Sequence, residues 1–326
     1  MQPCTRSVLA ALALLASSAC GDQADVANGP SDAGGDRVVD GAGTVSFADG
    51  GEAGSSTCEA RVRPIFVLAQ GAPPTISSFD PATLTFAHVQ NVVCPATTGW
   101  DAASMSVDRT FHAWIEWQSK ATGATTRLDR LDLATGTCEP DAAKLPVPSL
   151  LGMAFVSAGA NSAAESQFFV DTSSQLYALG SSTPLGQYYH FKPLEGTEFS
   201  GVELSGTGAG RLFMMIMNWT PAFNHPCTAQ TPCAPTVHIG EVDKTNGAAI
   251  SNAEVLGIPA FGISPGGFAF AQWGGLLWVF ESLSFGPTKV YAYDPVAATS
   301  ALKKSDGPNA IVGAGVSTCA PYVAPN

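Results

Sequence analysis

Outside the leader, the residues with the most chemistry to offer are six cysteines, Cys58, Cys94, Cys138, Cys227, Cys233 and Cys319. As thiolates they could hold zinc or run disulfide exchange, but no CxxC occurs among them, and both chemistries favour that close spacing. An even count in an exported chain implies three disulfides instead. The histidines, His88, His112, His190, His225 and His238, show no ligand spacing such as HxxxH, so neither a metal nor another cofactor is expected. Acid–base hydrolysis of a glycoside would need at least two carboxylates converging on one site. Asp108, Glu203 and Glu281 are the acidic candidates near the inner hairpins, and Glu203 alone lies mid-strand. Asp108 begins a turn, and Glu281 ends a second strand.

The aromatic candidates divide in two. Trp114, Trp117, Trp273 and Trp278 fall at strand spacing, as packing residues do. Trp219, Phe223 and His225 fall in the irregular insertion after Asn218, so with Glu203 and Asp108 they are the candidate ligand-binding residues. The run Ser205-Gly206-Thr207-Gly208-Ala209-Gly210 looks like a phosphate loop, yet it joins two strands and opens no helix. It reads as a strand-joining turn.

The elements that must position these residues begin after an address. Met1 to Arg6 carries one positive charge, Val8 to Ala16 is apolar, and Ser17-Ser18-Ala19 precedes Cys20. Nine apolar residues are too few to span a bilayer, and the small residues before the cysteine resemble a lipobox, with Ser17 where leucine is preferred. Acylation of Cys20 would anchor the chain in a membrane of the cell envelope, the outer membrane by expectation. Residues 20 to 57, acidic and rich in Gly, Ala and Asp, cannot offset their ordering entropy by burial and read as a tether. Residues 58 to 326 form the body, expected to be one domain and a monomer. The net charge of −12 argues against nucleic acid. With 34 glycines, 23 prolines and 13% charged residues, the chain turns often and builds few helices.

Within the body one phrase recurs: an alternating strand, an aspartate-led turn, another short strand. It stands at Ile76 to Phe86, Leu128 to Cys138, Ile239 to Ala249 and Tyr291 to Ala301, with Asp80, Asp132, Asp243 and Asp294 leading the turns. A second hairpin precedes most copies, as in MSVDRTFHAWIEW and FAFAQWGGLLWVF, so each unit has four strands. A degenerate copy takes its strands from Gly152 to Ser157, Gln167 to Thr172, Gln175 to Leu179 and Tyr188 to Leu194. Units recur at about 50 residues, and the two terminal remainders together make one more. That pattern predicts an all-β propeller of five blades, with six as the alternative, whose first blade is shared by both termini. Gly313 to Cys319 would be its inner strand beside Pro64 to Gln70. Such closure pairs Cys58 with Cys319. Cys227 and Cys233 share one loop and pair locally, leaving Cys94 with Cys138.

The phrases SFDPATLTF, ELSGTGAGRLF and VGAGVSTCAP, behind a lipobox and tether, resemble uncharacterised propeller-like lipoproteins of myxobacteria and related Gram-negatives. That resemblance implies fold and address and no activity. The function expected is binding or scaffolding at the envelope, toward a protein or glycan, with a carbohydrate-active hydrolase or an envelope-assembly partner as alternatives.

Overall fold

A computed structural model describes residues 58–95, 97–123, 125–147, 150–160, 162–171, 175–187, 198–219, 236–251, 253–255, 257–258, 265–283 and 286–323. Cys20, the tether, Phe223, His225, Cys227 and Cys233 lie outside them.

Alternation of apolar and small residues produces strands throughout. Blade 1 contains β1 (Ile65–Ala69), β2 (Thr75–Asp80) and β3 (Thr85–Asn91); blade 2 contains β4 (Trp100–Val107), β5 (His112–Ser119), β6 (Thr125–Asp132) and β7 (Cys138–Glu139). Blade 3 contains β8 (Leu150–Ser157), β9 (Glu165–Asp171), β10 (Gln175–Ala178) and β11 (Gly186–Gln187). Blade 4 contains β12 (Glu198–Gly206), β13 (Leu212–Trp219), β14 (Thr236–Val242) and β15 (Ala253–Glu254), and blade 5 contains β16 (Pro265–Trp273), β17 (Leu276–Leu283), β18 (Pro287–Asp294) and β19 (Thr299–Asn309). The last strand, β20 (Ile311–Gly315), returns to pair antiparallel with β1, Phe66 opposite Gly315 and Val67 opposite Ala314. Five four-stranded antiparallel sheets result, arranged as a five-bladed β-propeller.

Ring closure is visible in the packing. The inner strands β20, β4, β8, β12 and β16 touch in that order, and β16 touches β20 again. One apolar layer fills each junction between blades. On β17, Leu277 and Val279 face blade 4 while Trp278 and Phe280 face blade 1, as the two-residue period of a strand requires. Trp114, Trp117 and Trp278 belong to these layers, with Trp273 packed at the edge of one.

Backbones converge so closely at the axis that Cβ atoms do not fit everywhere. A Cβ on Gly206 of β12 would stand 1.9 Å from the Phe155 carbonyl oxygen of β8. That is why the inner strands are dense in Gly, Ala and Ser.

Each aspartate-led turn joins the third strand of a blade to the outermost one. Asp132 Oδ1 accepts from the amides of Ala134 (2.7 Å) and Thr135 (3.1 Å), and Asp294 Oδ1 accepts from those of Val296 (2.9 Å) and Ala297 (3.0 Å). Asp80 and Asp243 make the corresponding bonds to Ala82 and Thr245. Blade 3 lacks the aspartate, and among the described residues its outer strand is Gly186–Gln187. That strand lies ahead of the expected Tyr188 to Leu194, which is outside the described residues. The closing strand also differs from expectation. It ends at Gly315, and residues 316–319 leave the sheet to reach a disulfide.

Candidate functional site

Because strands alternate in direction, the first-to-second and third-to-fourth connections of every blade lie at one end of the ring, the turn end. The remaining connections lie at the other, the loop end. The site elements sort onto these ends and the axis between them.

Mid-axis, two glutamates meet. Glu203 on β12 of blade 4 is 1% exposed, and its Oε2 accepts from Ser104 Oγ on β4 of blade 2 at 3.3 Å. Blade 3 separates these blades in the ring, so the contact crosses the axis. Glu116 on β5, opposite Ser104 in the register, is 0% exposed. Burial, reinforced by the negative charge of Glu116, pushes the Glu203 carboxyl well above the ordinary carboxylate range, and the bonds from Ser104 and the Leu204 amide only partly oppose this. Toward the turn end, the inner strands around Ser106, Met153, Leu204 and Gly315 leave no volume for a water molecule.

At the turn end Arg109, in the β4–β5 connection, ties three blades together. Its guanidinium donates to the Ser162 carbonyl of blade 3 (2.8 Å) and to both sulfurs of the Cys58–Cys319 disulfide (3.4 and 3.6 Å). Its amide donates to Glu165 Oε1, and Thr318 Oγ1 donates to Glu165 Oε2 at 2.7 Å. Burial raises the Glu165 carboxyl above its ordinary value, while these bonds and Arg109 pull it back. The clasp read from ring closure is therefore present, with a guanidinium laid across it. The second disulfide, Cys94–Cys138, joins the loop leaving blade 1 to β7 of blade 2.

The carboxylate candidates separate in this geometry. Asp108, 7% exposed, holds its own turn: Oδ1 accepts from the amides of Thr110 (2.9 Å) and His112 (3.0 Å), and Oδ2 accepts from Trp114 Nε1 (3.0 Å). Glu281, 1% exposed, sits within blade 5 beside Tyr291 and Lys289. Burial lifts its pKa to about 7, and Lys289 and the Tyr291 hydroxyl moderate that lift. The axis thus brings Glu203 together with Glu116, which the sequence reading passes over. The available signal was a single acid inside an apolar strand, AWIEW, on the face opposite Ile115 and Trp117. The side chain of Trp219, at the end of β13, is outside the description. Among the described residues the one cluster with metal-ligand types, Cys94, Asp129 and Cys138, has both sulfurs in a disulfide. Asp129 is paired with Arg127 at 2.7 Å, so this cluster offers no thiolate.

No protein-family model matches the sequence, and no curated protein does. Among solved structures, the chain is similar to TolB from Acinetobacter baumannii at 11% identity and a TM-score of 0.35, over 78% of this chain and 66% of that one. It is similar to a chain of the mitotic checkpoint complex at 10% identity and a TM-score of 0.32, over 91% and 93%. Oligopeptidase B from Trypanosoma brucei follows at 10% identity and 0.34, over 71% of this chain and 31% of that one. At these values the likenesses carry no argument about activity. The fold and site define an all-β five-bladed propeller with a buried carboxylate at its axis and a disulfide clasp.

Proposed function

We propose that the chain is an exported lipoprotein, acylated at Cys20, that serves as a binding or scaffolding propeller at the cell envelope. The burial of the axial carboxylates is the observation that carries the binding part. Glu203 and Glu116, which converge, are 1% and 0% exposed, and that burial disfavours access of a substrate to them. Recognition then falls to the exposed loop end, where β13 ends and β14 begins on either side of the Trp219–Cys233 insertion. Two described disulfides support export, because such bonds persist in oxidising compartments. No helix among the described residues is long and apolar enough to cross a membrane, and a lipid at Cys20 would supply the anchor.

The hydrolase remains the second reading, favoured by the meeting of Glu116 and Glu203. A binding screen on the full chain against glycans, small molecules and cross-linked envelope proteins decides between the readings, run beside a hydrolysis assay. Saturable binding without turnover is expected; turnover abolished by E203Q would overturn it. Cells fed labelled palmitate should label the wild type and not C20A.

A further inference from the structure

We propose that a cleft between blades 1 and 2 at the loop end binds a neutral, hydroxyl-rich chain, a short linear oligosaccharide. This rests on the binding reading above and places the site away from both the axis and the Trp219–Cys233 insertion.

The cleft has a volume of about 490 Å³, within the usual range for small-ligand sites. Its walls are the β1–β2 connection, the β3–β4 connection and the end of β5. The described residues of the wall from Val92 to Gly99 contain no strand, yet they are fixed at several points. The Val92 amide donates to the Pro74 carbonyl at 2.8 Å, and Cys94 is bonded to Cys138. The Arg127 guanidinium, itself held in a buried pair with Asp129, donates to the Pro95 carbonyl. A wall held this way loses little freedom on binding, which favours affinity.

The lining selects the chemistry. Trp100, Pro73 and Pro74 offer flat apolar surfaces, which suit the C–H faces of pyranose rings. Trp117 forms part of the wall at 1% exposure, and its Nε1–H has no acceptor among the described residues. A buried donor left without a partner costs about 1 to 3 kcal/mol, so a ligand oxygen that reached it would gain disproportionately. At the rim Asp101 and Lys120 pair at 3.0 Å with side chains 51% and 56% exposed. Their charges cancel, so a charged ligand finds no net counter-charge, while hydroxyls can donate to one and accept from the other. Polyanions also meet the overall charge of −12. Rings with apolar faces and hydroxyl edges match this lining; a phosphate or nucleic-acid chain does not. Nothing local marks Trp100 for this role, because its cleft forms only where the β1–β2 and β3–β4 connections come together at the junction of blades 1 and 2.

The test is titration of the full chain with cello-, malto- and chito-hexaose, read by tryptophan fluorescence and calorimetry. At least one should bind saturably, W100A should weaken it by tenfold or more, and the rim variants D101N and K120Q by about threefold each. The exposed rim variants keep the test valid should W100A unfold. Binding unaffected by all three variants overturns the cleft and leaves the binding reading standing. Failure of all three sugars overturns this inference, and failure across the wider screen overturns the binding reading as well. A neutral peptide that binds through Trp100 while the sugars do not would overturn the ligand class.

Discussion

Aspartates at the perimeter of the ring and glutamates at its centre carry the same acidic group in opposite environments. Asp132 and Asp243 stand at surface turns, where hydrogen bonds from Thr135, Ala134 and Thr245 hold their carboxyls below the ordinary range. Glu203 lies on the axis, where burial and Glu116 push its carboxyl well above it. The perimeter acids are ionised caps for tight turns. The central acid is instead shifted toward its protonated form by burial and by the charge of Glu116. Radial position therefore decides whether a carboxyl terminates a hairpin or plugs the channel.

The predictions run from the largest effect to the smallest. Breaking the centre sterically should be most severe: G206V places branched carbons where even a Cβ meets the Phe155 carbonyl at 1.9 Å. No folded protein should be recovered, whereas the matching change at the exposed turn glycine Gly99, φ 87°, should leave a folded protein with a lower Tm. Next is the clasp. Cys58–Cys319 closes a loop of 261 residues, so C58S/C319S should lose about 4 to 5 kcal/mol in denaturant titration. Loss of Cys94–Cys138, which spans 44 residues, should cost less.

Titration of the centre comes third. Glu281 has a folded pKa of about 7 against an ordinary value of 4.5, so the folded state holds a proton that the unfolded chain releases. Its contribution is fully present below about pH 4.5 and is lost as pH rises toward 7. Glu203 acts in the same direction, because burial and the charge of Glu116 raise its carboxyl as well. Tm should fall as pH rises, and E281Q should flatten that slope between about pH 4.5 and 7. E116Q should lower the pH at which Glu203 titrates, because it removes the neighbouring negative charge that helps to raise the Glu203 carboxyl. The smallest effect lies at the perimeter, where D243A should lose about 0.5 to 1 kcal/mol with the turn bonds to Thr245.

The same contrast explains what could be read from the chain. Perimeter turns are local: an aspartate bonds the amide two residues on, so Asp80, Asp132, Asp243 and Asp294 mark blades by spacing alone. Closure was legible because the terminal remainders summed to one unit, and Cys58 with Cys319 followed. Blade 3 was blurred because no aspartate announces its outer strand. The axial pair was not legible. Glu203 reaches Ser104, 99 residues away across the ring, and nothing local in AWIEW says whether Glu116 faces solvent or the axis. The cleft was hidden because it forms only where connections of two neighbouring blades come together.

The most direct test of the sealed centre is infrared spectroscopy of the carboxyl stretch at neutral pH, comparing wild type with E203Q and E116Q. A protonated, slowly exchanging carboxylic acid band in the wild type, reduced in E203Q to the part that Glu281 contributes, is the result expected. Fully ionised glutamates with rapid hydrogen exchange would show that solvent reaches the axis, and would contradict the account.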